Sequence, residues 1–267
     1  MVPGASRPDV RGNERIVLLG SRGTYTPIVF NALKRDHPDL VTMLEGPVSR
    51  LGLAWRRIPK QGFFRVAGQV AFMAAVLPLL RRFGRRRIAE IVASAGLDET
   101  PISGPTVDVD TFNSDAAREH LRRLDPAVVV VSGTRLLSKK TRRSISAPFI
   151  NIHMGISPAF RGVHGAYWAL TRRRPELAGT TIHYIDAGID TGPVLKQGTF
   201  AVTERDSFAT YPYLHLATGI PLLREAVREV LAGAPSIRRV DSDLPSTLYY
   251  QPTAWQYFRH RVFGGVR

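Results

Sequence analysis

AVVVVSGTRLLSKKTRRSISAPFINIH, residues 127–153, holds two apolar runs joined by a polar, glycine-containing connection. The first, Ala127 to Val131, is continuous and β-branched, which fits a strand buried on both faces of a parallel sheet. The second begins at Phe149, just after Pro148, and closes on Asn151 and His153. Side chains alternate along a strand, so residues two apart share a face. An amide and a titratable imidazole are thus presented together where the strand ends. An isolated N-x-H is common by accident, and taken alone it also fits a capped strand end with an ordinary histidine.

Outward from this pair, the rest of the chain reads as the same kind of sheet. IVLLG (16–20) runs into SRGT and a helix predicted over 27–35, the opening strand, turn and helix of an open α/β fold. Gly20 and Gly23 read as a tight turn ahead of a phosphate cradle, since GxxG alone is a weak signal. Ser114 or Asp115 is placed to cap a helix over 116–124. A helix is expected from His164 to Arg173, and TTIHYID (180–186) alternates as a strand. AGIDTGP then forms a glycine-bounded loop before the returning strand VLKQGTFAV. Asp206 is expected to cap a long helical region reaching Gly233, bent or broken near Pro212 and Pro221. The expected architecture is an α/β Rossmann-like open, mostly parallel sheet with flanking helices. It covers residues 14–233, with a basic helical insertion at 51–96 and an aromatic, basic tail at 234–267.

The 267 residues accommodate one substantial α/β domain with an appendage, and a 44% hydrophobic share is ample for its core. Absence of cysteine excludes a disulfide framework and cysteine metal sites, and suits a reducing cytoplasm, the expected location. The first dozen residues are rich in Pro and Gly and lack an apolar run, so no signal peptide is expected. The net charge of +15 is unevenly spread. Ten Arg or Lys residues lie between Arg50 and Arg87, with no acid between Glu45 and Glu90, and the remainder carries only about +5. Within this segment the apolar stretch Val66 to Leu80, interrupted by Gln69 and Pro78, is expected to be too short to span a bilayer. Three roles stay open for the segment. It could pack on the domain as an insertion, form a partner or homodimer surface, or lie peripherally on a membrane with the arginines of 51–87 on anionic headgroups. No nucleic-acid-binding motif accompanies the charge, so no nucleic acid partner is expected.

Three stretches stand in a telling order: AVVVVSGTRLLS, then PFINIHMGISPAFRG, then GTTIHYIDAGIDTGPVL. Together they resemble the formyltransferases that use 10-formyltetrahydrofolate, the glycinamide ribonucleotide, methionyl-tRNA and sugar N-formyltransferases. The resemblance runs over about 127–203. It rests on Asn151 and His153, then Pro158, Arg161 and Gly162, then Asp190, Gly192 and Pro193. It implies Asn151, His153 and Asp190 as catalytic residues. Formyl transfer to an amine develops an oxyanion and releases a proton. An amide donor aimed at such an oxygen is typically worth about 2.7–4 kcal/mol, and a carboxylate can orient the imidazole or accept the proton through a water. The expectation is therefore that Asn151 and His153 both address the formyl oxygen. The resemblance also implies a pterin pocket made by Gly133, Thr134, Arg135, Leu136 and Leu137 with Ile185, Asp186, Ala187, Gly188 and Asp190. Leu136 and Leu137 fit plain core packing equally well, and Arg135 a surface position. Asp186 lacks the following T-G-P and reads as a decoy for the catalytic carboxylate. Arg161, Gly162, His164, Tyr167 and Trp168 fall on the acceptor side, and the two aromatics fit equally well a helix that buries them. His183 reads as structural or acceptor-side. No metal is implied.

Fewer than forty residues follow Gly233, too few for the C-terminal barrel of the methionyl-tRNA enzymes. SRGTYTP is a poor match to the phosphate loop of the glycinamide ribonucleotide enzymes, and nothing before Arg15 would hold the regulatory domain of a formyltetrahydrofolate hydrolase. By elimination the resemblance is nearest in plan to the sugar N-formyltransferases, with an amino sugar or another small amine as acceptor. Hydrolysis of the folate, or folate binding without transfer, stays open.

Overall fold

A computed structural model describes residues 14–47, 50–240 and 244–267. In chain order the elements are β1 (Ile16–Ser21), α1 (Tyr25–Lys34), β2 (Val41–Glu45), α2 (Arg50–Gln61), α3 (Phe63–Ala71), a π-helical turn (Phe72–Val76), α4 (Leu77–Ser94) and β3 (Thr106–Val109). There follow α5 (Asp115–Leu124), β4 (Val128–Ser132), α6 (Lys139–Arg142), β5 (Phe149–His153), β6 (Arg161–Gly162), α7 (Gly165–Thr171) and β7 (Gly179–Tyr184). The chain closes with β8 (Val194–Thr199), α8 (Tyr211–Leu231), β9 (Leu248–Tyr249) and α9 (Ala254–Gly264). Seven strands form one sheet in the order β3-β2-β1-β4-β5-β7-β8, and β6 pairs separately with β9. The first five sheet strands are parallel, while β7 runs against both β5 and β8.

Alternation along the buried strands explains where the polar pair points. Ile16, Leu18, Val128, Val130, Ile150 and Ile152 pack on one face with α1 and α8. Val17, Leu19, Val129, Val131 and Phe149 pack on the other with Ala117 and Leu121 of α5. Asn151 and His153 lie on the Phe149 side of β5, and Asn151 stands beside Val131 at the carboxyl end of β4. This is the end of a parallel sheet at which ligand crevices form.

Helix boundaries follow local chemistry, with two departures from expectation. Ser114 caps α5 by accepting the Ala117 N–H. Asp206, expected to cap the long helix, is instead buried, taking two bonds from Thr203 and an ion pair from Arg87 at 2.8 Å. The helix begins later, at Tyr211, and carries Pro221 without a break.

The insertion is longer than its sequence suggests. Residues Phe63–Ser94 form a continuous helix, long and apolar enough by length and composition to cross a membrane. That corrects the expectation that Gln69 and Pro78 cut it short. A regular helix would set the ring of Pro78 against the carbonyl of Ala74. The wide turn just before it lets the Leu77 N–H reach Phe72 instead. It also adds one residue to the turn, rotating the downstream half so that Val66, Phe72, Leu77 and Ile91 are all buried.

The tail packs on this insertion. Its helix α9 opens with a capping box between Thr253 and Gln256. Trp255 then lies over Gly68, where a Cβ would come within 2.1 Å of the indole. Tyr257 meets Phe72 edge-on at 5.2 Å.

Candidate active site

Three side chains and one backbone N–H converge on one carboxylate. Asn151 and His183 are direct partners across the β5–β7 pair. Asp190 comes from the β7–β8 loop with a left-handed backbone, φ 53°. Its Oδ2 accepts the Gly162 N–H at 2.8 Å and faces His153 Nδ1 at 3.4 Å. Its Oδ1 lies 3.5 Å from Asn151 Nδ2 and 3.6 Å from His183 Nε2. Loop and carboxylate are held from below: Arg161 donates to the Ile189 carbonyl at 3.1 Å, and a Cβ at Gly192 would strike the Tyr184 carbonyl.

Hydrogen bonds settle which ring nitrogens carry protons. His183 donates through Nδ1 to the Tyr184 carbonyl at 2.8 Å, so the neutral ring accepts the Asn151 amide at Nε2, 3.1 Å away. His153 donates through Nε2 to the Phe160 carbonyl at 2.8 Å. The neutral ring therefore turns an unprotonated Nδ1 toward Asp190. Burial pushes the His153 pKa below its ordinary value, against the pull of the Asp190 charge and the Phe160 carbonyl. Burial alone would raise Asp190, but His183 and His153, whenever their rings are protonated, and the Gly162 N–H outweigh it and hold the carboxyl below the usual range. In the resting site two acceptors thus face each other across 3.4 Å, a place for one additional proton.

In this geometry the Nε2 edge of His153 is committed to Phe160, and Asn151 and His153 share a face on which both turn to Asp190. The same geometry brings in His183, which the sequence reading set aside. The signal was the alternation of TTIHY, which turns His183 and Thr181 to the same side; the register against β5 was needed to use it.

The remaining candidates divide. Leu137 and Ile185, from the two loops assigned to the pterin, pack in one apolar cluster, so those loops are neighbours. Gly133 takes φ 63°, and Ala187 and Gly188 are exposed. Leu136 is exposed, and its carbonyl accepts from Asn113 at 2.9 Å. Thr134 bonds only locally, to the Arg135 carbonyl. Arg135 pairs with the buried Glu45 at 2.6 Å, a brace from this loop to the end of β2. Asp186 accepts from Thr191 and the Gly188 N–H, shaping its own loop apart from the cluster. Gly162 and Arg161 act on Asp190 and its loop, as above. Tyr167 and Trp168, candidates for stacking on an acceptor, are buried: Tyr167 bonds His260 at 2.7 Å and Trp168 the Tyr250 carbonyl at 3.1 Å. The tail covers both, which removes them from the acceptor side. His164 is likewise taken up by Gln251 at 2.6 Å, and burial pushes its pKa down to about 4.

Residues 89–215, which carry β3 to β8 and this whole cluster, match the formyl transferase family. Phosphoribosylglycinamide formyltransferase of Bacillus subtilis is 33% identical to the chain over 93 residues, 34% of this chain and 47% of that protein. Methionyl-tRNA formyltransferase of Anaeromyxobacter sp. is 36% identical over 131 residues, 49% of this chain and 42% of that protein. The chain thus spans a little under half the length of these relatives. The solved N-formyltransferase of Helicobacter canadensis, in complex with folinic acid and dTDP-3-aminofucose, superposes with a TM-score of 0.53 at 12% identity, covering 87% of this chain and 70% of that one. At that identity the likeness is one of fold. Helices α2 and α3 and the π turn lie outside the matched formyl transferase segment.

Proposed function

We propose that this chain transfers a formyl group from 10-formyltetrahydrofolate to the primary amine of a small acceptor, an amino sugar by preference. The observation that carries the proposal is the Asp190 carboxylate gathering Asn151, His153, His183 and the Gly162 N–H within the segment that matches the formyl transferase family. The folate fits the residues present: exposed backbone at Ala187 and Gly188 is suited to a polar ring edge, and Leu137 and Ile185 offer apolar flanks. When bound, it supplies an electrophilic formyl carbon.

The chain's own residues then have separable tasks. An attacking amine must lose a proton, and the vacancy between His153 Nδ1 and Asp190 Oδ2 receives it, leaving an imidazolium against a carboxylate. The Asp190 charge draws the proton to that pair, against the desolvation that keeps the His153 ring neutral at rest. Asn151, held by His183, has its amide nitrogen 3.5 Å from Asp190 Oδ1, loosely enough to turn a second hydrogen to an oxygen on which negative charge develops. Gly162 and Arg161 fix the carboxylate in place. The amino-sugar preference is supported by the dTDP-3-aminofucose in the Helicobacter canadensis complex and by the poor match of SRGTYTP to a ribonucleotide phosphate loop.

The test is tetrahydrofolate release from 10-formyltetrahydrofolate with a panel of nucleotide-linked amino sugars and a no-acceptor control. Release dependent on one acceptor is expected, with Asp190→Asn lowering kcat by about 10²–10⁴. Equal release without acceptor would make the protein a hydrolase, and undiminished transfer by Asp190→Asn would remove the proposed base.

A further inference from the structure

The insertion and the tail together expose an apolar face that the formyl-transfer site does not use. Along α3, the π turn and α4, Phe63, Phe64, Val70, Met73, Leu79 and Phe83 are exposed, Phe64 and Phe83 to 81%. Along α9, Trp255, Phe258 and Val262 recur at helical spacing and are likewise exposed, with Phe263 beside them at 84%. The two helices touch through Trp255 over Gly68, so the stripes adjoin. Soluble chains rarely expose contiguous apolar surface of this kind without a partner for it.

The surroundings of the face select the partner. No acidic residue occurs in 46–89 or in 244–267, while Arg65, Arg82, Arg85, Arg259 and Arg261 are exposed there. A cleft of about 330 Å³ next to Phe263 is lined by Arg173, Arg259 and His260. Apolar side chains bordered by arginines and devoid of acid match the interface of an anionic bilayer, with rings among the acyl chains and guanidinium groups on the headgroups. A second copy of this chain fits less well, since it would bring the same positive border against itself. Crossing the bilayer is opposed by the buried side of the same helix. Val66, Phe72, Leu77 and Ile91 are packed on the body and Arg87 is pinned to Asp206, so the helix lies along a surface.

We infer that the face formed by α3, α4 and α9 docks the protein on anionic lipid membranes. Strand β9, which leads into α9, also pairs with Arg161 and Gly162, so the docking helix and the loop that holds Asp190 share one connection.

The test is co-sedimentation of the full-length protein with phosphatidylcholine vesicles and with vesicles of equal parts phosphatidylcholine and phosphatidylglycerol. Sedimentation velocity without lipid runs in parallel. Binding to the anionic vesicles alone is expected. Arg82→Glu with Arg85→Glu should weaken it at least about tenfold. A Phe64→Ser, Phe83→Ser, Phe263→Ser variant should abolish it. All five side chains are exposed, so thermal unfolding should be unchanged and loss of binding is not loss of fold. No binding by the unaltered protein, or binding that both variants retain, overturns the inference. So does a lipid-free dimer that the phenylalanine variant dissolves without any vesicle binding, which would assign the face to a second copy.

Discussion

Mild acid should destabilise this protein well before its carboxylates titrate. His164 and His215 sit beneath the site, and burial pushes them down to about 4 and about 3, against a value near 6.5 in the unfolded chain. Stability present above 6.5 is therefore lost as pH falls toward the folded values, because the unfolded chain binds protons that the folded chain refuses. At about pH 5 each ring is roughly 1.5 units below its unfolded pKa, which amounts to about 2 kcal/mol per ring and about 4 kcal/mol for both. His153, lowered by burial, adds to the loss in the same direction. Against a typical 5–15 kcal/mol such a loss is easily measured. Urea unfolding at about pH 7.5 and about pH 5, followed by tryptophan fluorescence, gives the difference directly. His215→Phe separates this cause from others. The Nε2 of His215 has no partner among the described residues, so the substitution keeps an aromatic ring there, forgoes the Nδ1 bonds to Thr180 and the Gly179 backbone, and should cut the drop by about half. A loss of under about 1 kcal/mol in the unaltered protein, or an equal loss in His215→Phe, would refute the reasoning.

Arg87→Met should destabilise the fold by about 3 kcal/mol, read in a denaturant titration, because it leaves the carboxylate of Asp206 buried without its ion pair. Gly162→Ala combines φ 94° with a Cβ that would meet the Tyr249 carbonyl at 2.2 Å, so at least about 2 kcal/mol should be lost, with faster proteolysis of the tail. His183→Ala should lower kcat by about 10² by releasing the Asn151 amide, whereas His183→Gln, which keeps an acceptor there, should restore much of it.

Legibility in the sequence followed the range of the interactions. The strands around AVVVV and FINIH, and the cap at Ser114, are local patterns, and the elements formed where those patterns put them. Asn151, His153 and Asp190 could be named because their spacing repeats a known order, but their roles could not. Whether His153 has a free donor depends on the Phe160 carbonyl, seven residues on and brought back by the 154–160 loop. His183 matters only through its register against β5, which no single strand encodes. Tyr167 and Trp168 resembled acceptor-side aromatics as long as the tail was invisible; their partners, His260 and Tyr250, lie more than eighty residues away. The π turn escaped because one added residue breaks the 3.6 period by which a helix face is traced.

The two-residue ribbon of Arg161–Gly162 with Leu248–Tyr249 sets the order in which the protein can become active. Everything else around Asp190 has been synthesised by Pro193, yet the loop that presents the Gly162 N–H has no edge to lie against until residue 249 has left the ribosome. A nascent chain with its sheet complete therefore still lacks a finished site. The setting of the Asp190 carboxylate stays open until residue 249 has been made.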